Sequence, residues 1–115
     1  MPARRSSRAK AQVAESAAVF FALGDETRLG LVSRLCDAGP TSIAKLTASF
    51  AITRQAITKH LRVMEEAGLV RRTQQGRESI WRLEPKRLAE ARQHLDSISA
   101  QWDDALQRLK RFLAG

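Results

Sequence analysis

The sequence predicts a mainly α-helical fold with a β-hairpin wing: a winged helix-turn-helix that dimerises through its N- and C-terminal helices. Three observations carry this prediction. The stretch from Thr53 to Val70, TRQAITKHLRVMEEAGLV, reads as one helix with an apolar back and a cationic front. Two short apolar-containing runs rich in arginine follow it around a glycine. The chain then ends in a long segment whose apolar side chains recur in steps of three and four.

Composition sets the bounds. A chain of 115 residues is enough for one domain with a modest core. The net charge of +8 and a pI near 11.0 favour a polyanionic partner, either nucleic acid or an anionic membrane surface. The excess is localised. Half of it lies in residues 1–12, with Arg4, Arg5, Arg8 and Lys10 and no acid, and half in residues 53–82. The single cysteine, Cys36, allows no intrachain disulfide and fits a reducing compartment, so a cytoplasmic location is expected. A basic start precedes AAVFFALG, but the apolar run is short and no small-residue cleavage site follows, so no signal peptide is expected. No apolar run approaches the ~18 residues of a membrane span.

Along the chain, residues 1–8 are expected to be a disordered basic arm, and 9–115 a single winged-helix domain. A first helix is predicted from about Ala9 to Leu23, with Val13, Ala17, Phe20 and Phe21 on one stripe that something must cover. Gly24 breaks it and Asp25 caps a second helix to about Ala38, with Leu29, Val32, Leu35 and Cys36 as its buried positions. Gly39–Pro40 ends that helix. Ser42 caps a third, from Ile43 to about Ser49, with Ile43, Leu46 and Phe50 inward. A short turn leads to Thr53, so residues 42–67 form a helix-turn-helix.

The second helix of that unit is built for a groove. Thr53 is a suitable N-cap, and Ile57, Leu61 and Met64 make its apolar stripe. Gly68 supplies the positive-φ stop, with Leu69 packing back over the last turn. The opposite face carries Arg54, Gln55, Thr58, Lys59 and Arg62, all hydrogen-bond donors and none acidic; Glu65 and Glu66 come only at the far end. The DNA major groove admits one α-helix, and such helices enter it by their N-terminal half. Residues 69–83 are predicted as the wing. Leu69 to Thr73 and Glu78 to Leu83 are strands around a Gln74-Gln75-Gly76 turn, with Ile80 and Leu83 apolar and Trp81 on the other face. Arg71, Arg72, Arg77 and Arg82 make this hairpin basic, and Arg77 at its tip suits a narrow minor groove.

Pro85 opens the last helix, residues 86–113, about 40 Å long at 1.5 Å per residue. Leu88, Ala91, Leu95, Ile98, Trp102, Ala105, Leu109 and Phe112 form a heptad-like seam that Leu106 and Leu113 widen. One small domain cannot bury it. The expected cover is a second copy of the chain, its interface drawing on Val13, Ala17 and Phe20 with Leu88, Leu95, Ile98, Trp102, Leu106, Leu109 and Phe112. Two-fold symmetry then predicts a near-palindromic DNA site.

The segments FFALGDETRLGLVSRL, SIAKL, TRQAITKHLRVMEEAGLVRR and WRL together resemble the ArsR/SmtB family of winged-helix transcriptional repressors, over roughly Val13 to Leu83. The resemblance implies a homodimer on operator DNA near its own promoter. Carried over position by position, it makes Arg54, Gln55, Thr58, Lys59 and Arg62 the recognition-helix contacts and puts Ser42 and Thr53 at phosphates, and among the five the hydrogen-bonding chemistry of Gln55, Arg54 and Thr58 suits base edges. It places Gln75, Gly76 and Arg77 in the wing contacts, with Arg72 close by. His60 matches a serine-x-histidine pattern and reads as a structural or phosphate-bonding residue rather than a metal ligand. Many members sense metals through a Cys-x-Cys pair on the third helix, where this chain has SIAKLTASF. Others use an acidic, histidine-rich last helix. Here that helix offers His94, Asp96, Asp103 and Asp104, with Asp96 on a different face from His94. Zinc needs about four converging ligands, so no metal and no cofactor are expected. No nucleophile–base pair, phosphate loop or carboxylate pair points to an enzyme. The alternatives are a winged-helix protein-interaction module, or a repressor sensing a small molecule or metal at the dimer interface, where Phe20, Phe21 and Trp102 are candidate liners. The effector itself is not legible.

Overall fold

The computed structural model describes the backbone of residues 2–115 and the side chains of residues 7–115. Five helices and three strands follow one another: α1 (Pro2–Leu23), α2 (Glu26–Ala38), β1 (Thr41–Ser42), α3 (Ile43–Ala48), α4 (Arg54–Glu66), β2 (Val70–Gln75), β3 (Glu78–Leu83) and α5 (Pro85–Ala114). The first helix starts at Pro2, not near Ala9, so the expected arm at 1–8 is helical over its described part. Proline suits a first helical turn, and the alanine, arginine and lysine that follow are good helix formers. The side chains of Arg4 and Arg5, which that arm would present, lie outside the described residues.

The caps form where the sequence puts them. Asp25 accepts the Arg28 amide at 3.0 Å, Ser42 the Lys45 amide at 3.3 Å and Thr53 the Ala56 amide at 3.1 Å. At the far end of α4, Leu69 N donates to Met64 O at 2.9 Å and Gly68 N to Glu65 O at 3.0 Å, with Gly68 at φ +78°. This is the paired-bond helix stop that a glycine permits.

The core gathers Val19 and Ala22 of α1, Leu31, Val32 and Leu35 of α2, Ile43 and Leu46 of α3, Ile57, Leu61 and Met64 of α4, then Leu69, Val70, Trp81 and Ala91. Two expectations for α2 are corrected. Leu29 is 52% exposed and Cys36 is exposed, while Leu31 is fully buried. The inward stripe is centred on Leu31, Val32 and Leu35, and a 3.6-residue period rotates positions 29 and 36 to its flank. On α1 the buried residues are Ser16, Val19 and Ala22. Val13, Ala17 and Phe21 stay exposed, and Phe20 is half-buried.

The sheet is antiparallel in the order β1-β3-β2. β1, too short to give a period-two signal, pairs Thr41 with Trp81 and Ser42 with Ile80. It anchors the base of the wing to the start of α3. In the hairpin, β2 runs on through Gln75, which pairs with Glu78, so the turn is Gly76-Arg77 rather than Gln74-Gln75-Gly76. Gly76 takes φ +62°, as a two-residue hairpin with glycine first requires. Trp81 and Leu83 share a face by strand alternation, correcting the expected grouping of Leu83 with Ile80. Trp81 is buried and Leu83 packs against the same core.

Candidate DNA interface

α4 presents the reading face. Its back is sealed, with Ile57, Leu61 and Met64 fully buried. Arg54, Gln55, Thr58, Lys59 and Arg62 together line one shallow groove on the outer side, and no carboxylate is among the lining residues. The five residues expected as recognition-helix contacts are thus brought together as one surface. All are exposed except Thr58, which is half-buried and donates its hydroxyl proton to Arg54 O at 2.8 Å. Thr58 therefore keeps only acceptor capacity toward a base. Thr53 is exposed at the N-terminus of the helix, where the free amides and the helix dipole favour phosphate.

The wing places Arg72, Gln75, Gly76 and Arg77 in solvent. Gln74 stiffens the tip, donating to Gly76 O at 3.2 Å and accepting from Ser79 Oγ at 3.1 Å. Arg71 differs from its neighbours, because its Nε is 2.7 Å from Glu84 Oε2. That pair ties the wing to the start of α5.

Two expected contacts sit elsewhere. Ser42 is buried, and its Oγ accepts the Lys45 amide at the start of α3. His60 turns away from the groove: its Nδ1 lies 3.3 Å from Arg28 Nη1 and 3.8 Å from Asp25 Oδ2. Asp25 is held below the usual carboxylate value of 3.8, first by the Arg28 backbone N–H and then by the charge of the Arg28 guanidinium. Arg34 and Lys45, which the sequence does not single out, line a cleft beside Ser42 together with Glu78, between α2, β1, α3 and β3. Their signal was charge alone, and only the β1–β3 pairing shows that they flank the wing.

The second surface is apolar. Along α5, Leu88 is half-buried against the chain's own core, and Ala91 is buried. Beyond them Leu95, Ile98, Trp102, Leu106, Leu109 and Phe112 are exposed, Trp102 by 67% and Phe112 by 81%. Val13, Ala17, Phe20 and Ile98 enclose a hollow of about 250 Å³ with Ser16 and His94 at its edge. Phe21 and Trp102 are not among its liners, so the three aromatics do not form one binding site within the chain. Ser16 Oγ and His94 Nδ1 are 2.6 Å apart, which engages the ring nitrogen inside the protomer. Among the described residues no helix is long and apolar enough to cross a membrane, and no group of three or more His, Cys, Asp or Glu could hold a metal.

Comparison with known proteins agrees with this layout. Residues 23–73 match a helix-turn-helix domain family. A helix-turn-helix-type transcriptional regulator of Mycobacterium tuberculosis is 35% identical over 85 residues, 74% of this chain and 76% of the relative. The arsenical resistance operon repressor of Escherichia coli is 31% identical over 96 residues, 84% of this chain and 82% of the relative. The solved structure of an ArsR-like transcriptional regulator from Rhodococcus superposes with a TM-score of 0.75 at 36% identity, covering 87% of this chain and 93% of that one. The family match at 23–73 spans the caps and the reading helix and reaches into β2, and the chain belongs to the ArsR/SmtB family of winged-helix, DNA-binding transcriptional regulators.

Proposed function

We propose that this regulator is a cytoplasmic homodimeric repressor that binds a near-palindromic operator near its own promoter without needing a metal. The observation that carries the reading is the groove lined only by Arg54, Gln55, Thr58, Lys59 and Arg62 on a helix whose back is fully buried. In it, Arg54 and Gln55 read base edges by paired hydrogen bonds, each worth ~1–3 kcal/mol of discrimination. Lys59, Arg62 and the α4 N-terminus at Thr53 take phosphates. Arg72, Gln75, Gly76 and Arg77 follow the backbone from the wing, and Arg34 and Lys45 extend the phosphate contacts past Ser42. Support for the dimer comes from the exposed apolar residues of α1 and α5, which a second copy would cover. The hollow at Val13, Ala17, Phe20 and Ile98 then seats an apolar side chain of that copy. Support for a repressor comes from the arsenical resistance repressor among the relatives. Support for metal independence comes from SIAKLTASF on α3, which carries no cysteine, histidine or carboxylate.

The test is fluorescence anisotropy on a duplex from just upstream of the coding region, beside a scrambled duplex of equal length. Both are run over a salt series, with and without chelator. Tight binding to the native duplex alone, unchanged by chelator, is expected. Equal, salt-labile binding to both duplexes would reduce the basic face to a general electrostatic footprint and send the search for an operator elsewhere. Binding that chelator abolishes or tightens would overturn metal independence.

A further inference from the structure

Arg28 is a half-buried cation that the DNA-reading role leaves unused. It lies on the inward side of α2 and touches two other helices. Its Nε donates to Ala22 O at 2.6 Å and its Nη2 to Phe21 O at 3.4 Å, both carbonyls in the last turn of α1, where intrahelical bonding runs out. The guanidinium also lies 5.6 Å from the centroid of the Phe21 ring. Its Nη1 is 3.3 Å from His60 Nδ1 on α4. A guanidinium has no lone pair to offer, so the arginine donates and the ring nitrogen accepts. Asp25 completes the cluster. Its Oδ2 accepts the Arg28 amide at 3.0 Å and stands 3.8 Å from His60 Nδ1. One planar side chain with fixed donor directions therefore grips the end of α1 and the middle of the reading helix together.

We propose that Arg28 is a positioning residue for two-site DNA recognition: by holding the last turn of α1 and His60 of α4 at once, it sets the angle between the dimer-forming helix and the reading helix, and with it the half-site spacing the protein accepts. The inference rests on the homodimer reading given above. Its physical basis is the rigidity of the guanidinium fork. Lysine keeps the charge but offers a point donor on a flexible stem, and cannot satisfy carbonyl and imidazole in two fixed directions. DNA supplies the ruler, because half-sites recur about every 10–10.5 base pairs and an inserted pair shifts one of them along and around the helix axis. A rigid α1–α4 angle penalises that shift and a loosened one tolerates it.

The experiment uses the full chain and duplexes that the wild-type protein selects from a randomised pool. Each is remade with one base pair inserted or removed between half-sites, and as a single half-site. Affinities are measured by anisotropy at one salt concentration for wild type, Arg28→Lys and His60→Phe. The second variant removes the acceptor on α4 and leaves the bonds of Arg28 to α1 in place, so it carries the test if Arg28→Lys does not fold. The wild type should prefer the selected spacing. Both variants should keep half-site affinity within about twofold yet lose about fivefold of the spacing preference, the factor that one net hydrogen bond corresponds to. Variants that retain the full spacing preference would overturn the inference and leave the dimer reading intact. So would variants whose loss on the half-site equals their loss on the whole duplex. A wild type indifferent to spacing would sink the dimer reading itself, and the inference with it.

Discussion

The two halves of this chain treat apolar residues differently. From α2 to β3 the large apolar side chains mostly turn inward: Leu31, Leu35, Leu46, Ile57, Leu61, Met64 and Leu69 are essentially inaccessible. Along α5 beyond Ala91 the pattern reverses, and Leu95, Ile98, Trp102, Leu109, Phe112 and Leu113 are each at least half exposed. The helix is about 45 Å long at 1.5 Å per residue, and only its first turns meet the chain's own core. The DNA-reading half is thus complete within one chain, whereas the long helix is finished only against something else. The difference teaches that periodicity alone reports an apolar face without reporting which molecule covers it.

The largest expected effect breaks the comparison at its open side. Replacing Ile98 and Trp102 together by glutamate should weaken self-association by a hundredfold or more, on the order of 1.5–3 kcal/mol per large apolar side chain. Sedimentation equilibrium should then report a mass near 12.8 kDa, with a cooperative thermal transition retained. An unchanged multiple of that mass would show that α5 is not the seam. A monomer that no longer melts cooperatively would show that the reading half is not self-sufficient.

The next tests sharpen the closed side. Leu61→Ala removes a fully buried side chain behind the reading face and should cost ~2–5 kcal/mol in denaturant unfolding, whereas Leu29→Ala, on the exposed flank of α2, should stay within about 0.5 kcal/mol. Similar losses for the two would undo the corrected register of α2. Gly68→Ala should cost about 1–2 kcal/mol, because the residue sits at φ +78° and an added Cβ would lie 2.6 Å from Arg87 Cγ. Arg87 also pairs with Glu15 of α1 and sits 3.6 Å from Glu90 of α5. A neutral substitution would mean that Arg87 moves aside and that this joint between the halves is loose.

The smallest effect concerns the Asp25 cap. Its folded-state pKa lies below 3.8, so its contribution is present above that value and is lost as pH falls through the lowered one. Asp25→Ala should therefore lower the melting temperature at neutral pH, and the gap from wild type should close as pH drops below 3.8. A gap independent of pH would mean that the carboxylate's charge is not what stabilises the start of α2.

Local chemistry explains how much was readable in advance. The caps at Asp25, Ser42 and Thr53, the glycine stop at Gly68 and the five-residue groove all follow from side chains acting within a few positions of themselves. The misses have the opposite character. Leu29 and Cys36 were assigned inward on spacing that fits more than one rotation of α2. The strand β1 carries no pattern of its own and exists because β3 lies beside it. For His60 the motif leaves a structural and a phosphate-bonding role open, and only the fold turns its ring toward Asp25 and Arg28 at the start of α2.

By itself, then, the sequence determined the order of the five helices and the hairpin, the capped helix ends, the basic reading helix with its wing, and the family, because capping, glycine conformation and apolar period are short-range properties. The tertiary structure alone decided which apolar face each helix keeps inside, where the wing is anchored, that Arg28 joins α1 to α4, and that Arg87 joins α5 to α1. Those outcomes depend on contacts between residues far apart in the chain, and no local spacing encodes the partner across such a contact.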